Sequence, residues 1–147
     1  MRGERWLRGD AVYIAAALRL LLRYRGFRAQ TTVFGDAAPA LRMMLVISNG
    51  RNFGGAFLIA PTALVDDGML DFVSIGDVHN LARLPLFVRA LRGAHLSHRA
   101  VQATRAATAE LRFDAAPWFE LDGDLHQARS PIVQVGVIPR ALRVLVG

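Results

Sequence analysis

Two short segments concentrate the oxygen chemistry of this chain. The first is Ala60-Pro61-Thr62-Ala63-Leu64-Val65-Asp66-Asp67-Gly68-Met69-Leu70-Asp71, with three carboxylates around a glycine. Hard cations such as Mg²⁺ take carboxylate, carbonyl and water oxygens, and a tight turn can aim backbone carbonyls and Asp67 at one ion. The same spacing also makes an ordinary Asp-Gly hairpin, with Asp66 and Asp67 bonded to their own backbone and Asp71 on a solvated face. On spacing alone that hairpin is the commoner outcome. The second segment is Trp118-Phe119-Glu120-Leu121-Asp122-Gly123-Asp124. A strand ending just before a carboxylate presents the acid at a sheet rim, where Asp124 can take a hydroxyl proton as general base. The alternative is a two-residue Asp-Gly hairpin with Asp124 as exposed turn chemistry, and spacing does not choose between them.

Other motifs exclude more than they assign. Asn49-Gly50-Arg51-Asn52-Phe53-Gly54-Gly55 has the wrong glycine spacing for a dinucleotide fingerprint, and the apolar run 56–60 after it reads as a strand rather than a helix. His79, His95, His98 and His126 show no zinc spacing. No GxSxG elbow supports a serine hydrolase.

The 147 residues are 53% apolar and 20% charged, which suits one globular domain and excludes a disordered chain. All 18 basic residues are Arg, so a net charge of +6 gives a pI near 11.3 that overstates the basicity. Residues 1–28 carry +5 of that charge. With no Lys there is no Schiff-base amine and no Walker lysine, and with no Cys there are no disulfides or thiolate nucleophiles. This fits a cytoplasmic protein. The apolar stretch 11–18 is interrupted at Arg19 and falls short of the ~20 residues that span a bilayer. No recognisable module turns the charge into a nucleic-acid interface.

The elements that position these segments follow from periodicity. Asp10 caps a helix over 10–24, amphipathic and basic, which Gly26 ends. Alternation predicts a strand over 27–34, and the run 41–48 a strand buried on both faces, the two forming a hairpin. A strand over 69–75 follows, then a helix over 78–91 capped by Asp77, with Pro85 kinking or dividing it. Short strands are expected at 100–104, 109–113, 118–122, 132–138 and 141–146. Such strands without alternating helices predict an antiparallel, sandwich-like α+β domain that is mainly β.

The order NGRxFGG, APxAxxDDGxLD, a helical stretch ending in RGxH, LDG followed by an acid, and IPRALRVL resembles the C-terminal domain of bacterial diacylglycerol kinases and YegS-type lipid kinases. These are relatives of sphingosine kinases in the NAD-kinase-like superfamily. The resemblance covers residues 27–147 and implies transfer of the ATP γ-phosphoryl group to a lipid hydroxyl in a cleft between two domains. It places a structural Mg²⁺ at Asp67, with Leu64 and Met69 contributing backbone carbonyls, and the proton acceptor at Asp124. Asn49, Gly54 and Gly55 become architectural or lipid-side residues, and Met43, Phe53, Phe57 and Phe87 candidate lining for acyl chains.

The GGDGT-like nucleotide motif of that family is absent from these residues. The expectation is therefore a kinase portion inactive alone, partnered by a separately encoded nucleotide-binding domain, with an open face available for self-association. The competing expectation is a non-catalytic module that holds an apolar ligand and meets the inner membrane face through the basic helix.

Overall fold

Most of the apolar runs become strands in the computed structural model, which describes residues 19, 21–53, 55 and 57–142. The elements are β1 (Phe27–Thr31), β2 (Ala40–Ser48), β3 (Leu70–Gly76), α1 (Asn80–Leu91), a 3₁₀ turn (Ala94–Ser97), β4 (Val101–Ala106), β5 (Thr108–Phe113), β6 (Trp118–Leu121), β7 (Asp124–Gln127) and β8 (Ile132–Gly136). Six strands form one sheet in the order β4-β3-β2-β1-β5-β8, and β6 and β7 form a separate ribbon. Every pairing is antiparallel, so the expected mainly β, α+β class is the observed one.

The strand expected over 27–34 stops at Thr31. The Asp36 carboxylate accepts hydrogen bonds from the Thr31 N–H and hydroxyl, both at 2.9 Å, and so closes a turn where the alternation continues. The β1–β2 hairpin then forms as expected. The burial expected on both faces of β2 is reached only at Arg42 and Val46, with Leu41 exposed and the other residues partly covered, and Arg42 is 2% exposed inside the sheet. A register shift between Arg42 and Met44 against β3 lets Arg42 share a face with Ser74 rather than with Val46. Its guanidinium donates to the Ser74 hydroxyl, the Ala29 carbonyl and Asp36, and lies 5.2 Å from the Phe34 ring centroid.

The opposite face of β2 and β3 carries the main apolar cluster: Val46 and Val73 with Ile59, Ala60, Ala63 and Ala90. The strand expected at 56–60 does not form. Its described part makes a single bridge, Phe53 with Phe57, and then a turn that buries Ile59 and Ala60. His95 of the 3₁₀ turn fixes that segment, with Nε2 3.0 Å from the Ile59 carbonyl. Gly93, at φ 70°, is required there, since a Cβ would meet the Pro61 ring at 2.8 Å.

The 78–91 prediction holds for α1 with different ends. His79, not Asp77, is the N-cap, and Pro85 lies within one continuous helix. Pro85 leaves the Leu81 carbonyl without its helical donor, and Leu81 is 76% exposed, so water can serve that group. Asp77 instead pairs with Arg83 at 3.0 Å. Arg83 is buried and donates to the Leu21 and Tyr24 carbonyls at 2.8 and 2.6 Å. It thereby satisfies carbonyls at the end of the helical residues 21–23. The rest of the expected helix, residues 10–18 and 20, lies outside the described residues, as do Gly54 and Ala56. Residues 141 and 142 of the last expected strand are not in a strand, and 143–146 lie outside the described residues.

Candidate functional site

The acidic turn connects the apolar cluster to the start of β3. Asp67 Oδ1 accepts the Met69 N–H at 2.9 Å, which makes the local Asx turn, and Gly68 follows at φ 72°. Asp67 Oδ2 is ion-paired with Arg105 of β4. A Cβ on Gly68 would lie 3.5 Å from the Pro139 ring, so the turn meets the Ile138-Pro139-Arg140 segment that follows β8. Two motifs 71 residues apart in the sequence are thus brought together. Leu64 is exposed at the edge of this turn.

Asp71 is not on a solvated face. It is 6% exposed on β3, opposite Arg105 of β4 and Ser48 of β2 in register. Burial pushes its carboxyl above the ordinary value; Arg105 opposes that and Asp67 adds to it.

Among the described residues no group of three or more His, Asp or Glu side chains converges on a metal position. The family resemblance assigns a hard cation to the Asp67 carboxylate and the Leu64 and Met69 carbonyls, oxygens of the type Mg²⁺ takes, while in the structure Asp67 Oδ1 accepts from the Met69 N–H and Oδ2 pairs with Arg105. Asp67 already holds one cation, the Arg105 guanidinium, so a metal ion there shares or replaces it.

Asp124 lies elsewhere. Asp122 and Gly123, at φ 52° and 99°, make the two-residue turn of the β6–β7 ribbon, and Asp124 opens β7 opposite Leu121. The hairpin alternative for this segment is therefore the observed backbone. Every residue of both strands is exposed, including Trp118, Phe119, Leu121 and Leu125, so the carboxylate stands beside an apolar surface. No hydrogen bond or ion pair among the described residues joins Asp124 to the acidic turn. A concavity lined by Arg23, Tyr24, Arg25, Asp77, Asn80 and Arg83 shares no residue with either segment. Phe53 and Phe57 pack on the apolar cluster, and Phe57 meets Phe87 edge-on at 4.5 Å.

The model of the YegS C-terminal NAD kinase beta sandwich-like domain matches residues 2–146. The chain belongs to this family. As a YegS C-terminal domain it is 30% identical over 142 residues to the diacylglycerol kinases of two Mycobacterium tuberculosis strains, CDC 1551 / Oshkosh and ATCC 25618 / H37Rv. The match takes in 96% of this chain and 45% of each relative, so the chain spans less than half of their length. The fold is similar to that of a candidate diacylglycerol kinase from Bacillus anthracis str. Sterne, with a TM-score of 0.64 at 18% identity over 86% of this chain and 43% of that one. A second such structure from the same organism gives 0.62 at 15% identity, covering 83% and 41%. Among the described residues of this YegS C-terminal domain, no helix is long and apolar enough to cross a membrane.

Arg105, the partner of Asp67, was not legible as a site residue. Its only signal is alternation along β4, which puts it in register with Asp71.

Proposed function

We propose that this chain supplies the acceptor-side portion of a lipid kinase of the diacylglycerol kinase type, which transfers the ATP γ-phosphoryl group to a lipid hydroxyl. The observation that carries this reading, beside the family, is Asp124. It is a carboxylate directly after a Leu-Asp-Gly turn, on a ribbon face that it shares with the exposed side chains of Leu121, Phe119 and His126. A lipid hydroxyl flanked by acyl chains can approach such a surface with its proton toward the carboxylate.

In the reaction, Asp124 takes that proton as the hydroxyl oxygen bonds to the γ-phosphorus, and the bond from γ-phosphorus to the bridging oxygen breaks to release ADP. Asp67 and the Leu64 and Met69 carbonyls are the residues that would hold Mg²⁺, whose positive charge would brace the acidic turn. Pro139 on Gly68 and Arg105 on Asp67 hold the same turn against the end of the sheet. The GGDGT-like phosphate-binding motif is supplied by a nucleotide-binding partner domain, and the assembled enzyme works in the cytoplasm at the inner membrane face.

The test is ATP-dependent phosphorylation of diacylglycerol in mixed micelles. It compares this chain alone with the chain joined to the part of the Mycobacterium tuberculosis diacylglycerol kinase that lies outside the match. The joined protein phosphorylates the lipid, and the chain alone stays at the level of its Asp124→Asn variant. Turnover by the chain alone above that level, or none by a joined protein that binds ATP, overturns the reading.

A further inference from the structure

α1 is built inside out. Its buried line is Arg83, Leu86 and Ala90, with a charged residue among the three. Its exposed line is Leu81, Leu84, Val88 and Leu91, spaced three, four and three residues apart. At about 100° per residue these four side chains share one stripe on roughly the opposite side from the buried line. They are 76%, 46%, 47% and 43% exposed, values usual for charged residues on a solvated helix.

The charges around the stripe have one sign. Residues 78–109 contain no Asp or Glu, while Arg89, Arg92 and Arg99 are exposed. None of the ion pairs among the described residues engages those three arginines. By helical spacing Arg92 and Arg89 lie beside the apolar stripe, where long side chains can extend toward anionic groups while leucines are buried deeper. An apolar stripe flanked by arginines, with the one acid at the start of the helix, Asp77, neutralised by Arg83, has the composition of a helix that lies in a lipid interface. A protein partner would need acidic residues around an apolar groove. An anionic bilayer offers both features in one continuous surface.

We infer that α1 is the membrane-docking surface of this chain: Leu81, Leu84, Val88 and Leu91 enter the acyl boundary of an anionic bilayer, and Arg89 and Arg92 contact its headgroups. The inference rests on the proposed work at the inner membrane face, but it requires no ATP, metal or catalysis, so vesicle binding can fail or hold independently of lipid phosphorylation.

Co-sedimentation of the 147-residue chain with phosphatidylglycerol-rich vesicles and with pure phosphatidylcholine vesicles tests it. The chain partitions onto the anionic vesicles, and high salt weakens the binding. Leu84→Gln with Val88→Gln, and Arg89→Gln with Arg92→Gln, each lower partitioning by about tenfold. These positions are exposed, so melting temperature is expected to change little. The chain has no cysteine, so Val88→Cys carries a single environment-sensitive dye as a second readout. Its emission shifts to the blue on anionic vesicles, while the same dye at Asp114→Cys, exposed beyond β5, does not respond. Equal binding by both double variants, a dye at residue 88 that ignores the vesicles, or variants that only turn a dimer into a monomer would overturn the proposal. The last result would assign the stripe to a second copy of the chain.

Discussion

Arg105 reaches from β4 to the Asp67 carboxylate in the turn before β3, and the same arginine stands opposite Asp71 in the β3–β4 register. One guanidinium therefore serves two carboxylates at the mouth of the sheet, one paired with it directly and one buried beside it. Arg105 is the resident cation of the segment that the family resemblance assigns to Mg²⁺.

Arg105→Gln frees Asp67 Oδ2 for a metal ion. The pair is partly exposed, so its loss costs about 0–1 kcal/mol without metal. Millimolar Mg²⁺ should raise the melting temperature of Arg105→Gln more than that of the unaltered chain, and chelation should reverse the gain. Asp67→Asn should remove the response from both. Equal Mg²⁺ responses with and without Arg105 count against competition at this carboxylate.

The ion pair inside the sheet is the stronger one. Burial raises the Asp36 carboxyl, but hydrogen bonds from Thr31 and the charge and hydrogen bond of Arg42 outweigh this and hold it below the ordinary value. The folded state thus binds fewer protons than the unfolded chain. The stability from this group is fully present above the ordinary carboxylate value of 3.8 and is lost as pH falls through the lowered folded value. Asp36→Ala leaves the buried Arg42 charge uncompensated and should cost about 3–5 kcal/mol at pH 7 in denaturant titrations. Asp36→Asn should also flatten the acid limb of stability against pH, and an unaltered limb would remove Asp36 from it.

His95 predicts the effect of mild acid. It is fully buried; Nε2 donates to the Ile59 carbonyl and Nδ1 has no partner among the described residues. Desolvation lowers its pKa and the carbonyl opposes this only in part. The unfolded chain therefore takes up the proton first, so stability holds above the ordinary value of 6.5 and declines as pH falls below it. Chemical denaturation at pH 7.5 and pH 5.5 should show a loss in the unaltered chain and a smaller one in His95→Gln. The same loss in both would assign the acid sensitivity to other groups.

The sequence was most legible where one physical rule acted alone. Apolar runs bounded by turn residues located β2, β3, β5 and β8, and Asp122-Gly123 supplied the positive-φ pair of a two-residue hairpin. The misses lie where a long-range partner overrides local preference. Asp77 reads as an N-cap until Arg83 takes it, and residues 32–34 read as strand until Asp36 closes on Thr31. Asp71 looks solvated because alternation assigns a face without revealing what covers it. In the candidate site, spacing offered the Asp67 turn and, as one of two readings, the Asp124 hairpin. The contact between Gly68 and Pro139 and the pair of Asp67 with Arg105 depend on sheet register.

The most direct test of the acceptor-side reading is transfer of labelled γ-phosphate from ATP to diacylglycerol by the joined enzyme, with and without Asp124→Asn. The substitution removes a proton acceptor from an exposed hairpin, so melting temperature and lipid binding should be unchanged while turnover falls about 10²–10⁴-fold. Turnover by Asp124→Asn equal to that of the unaltered enzyme would contradict the account.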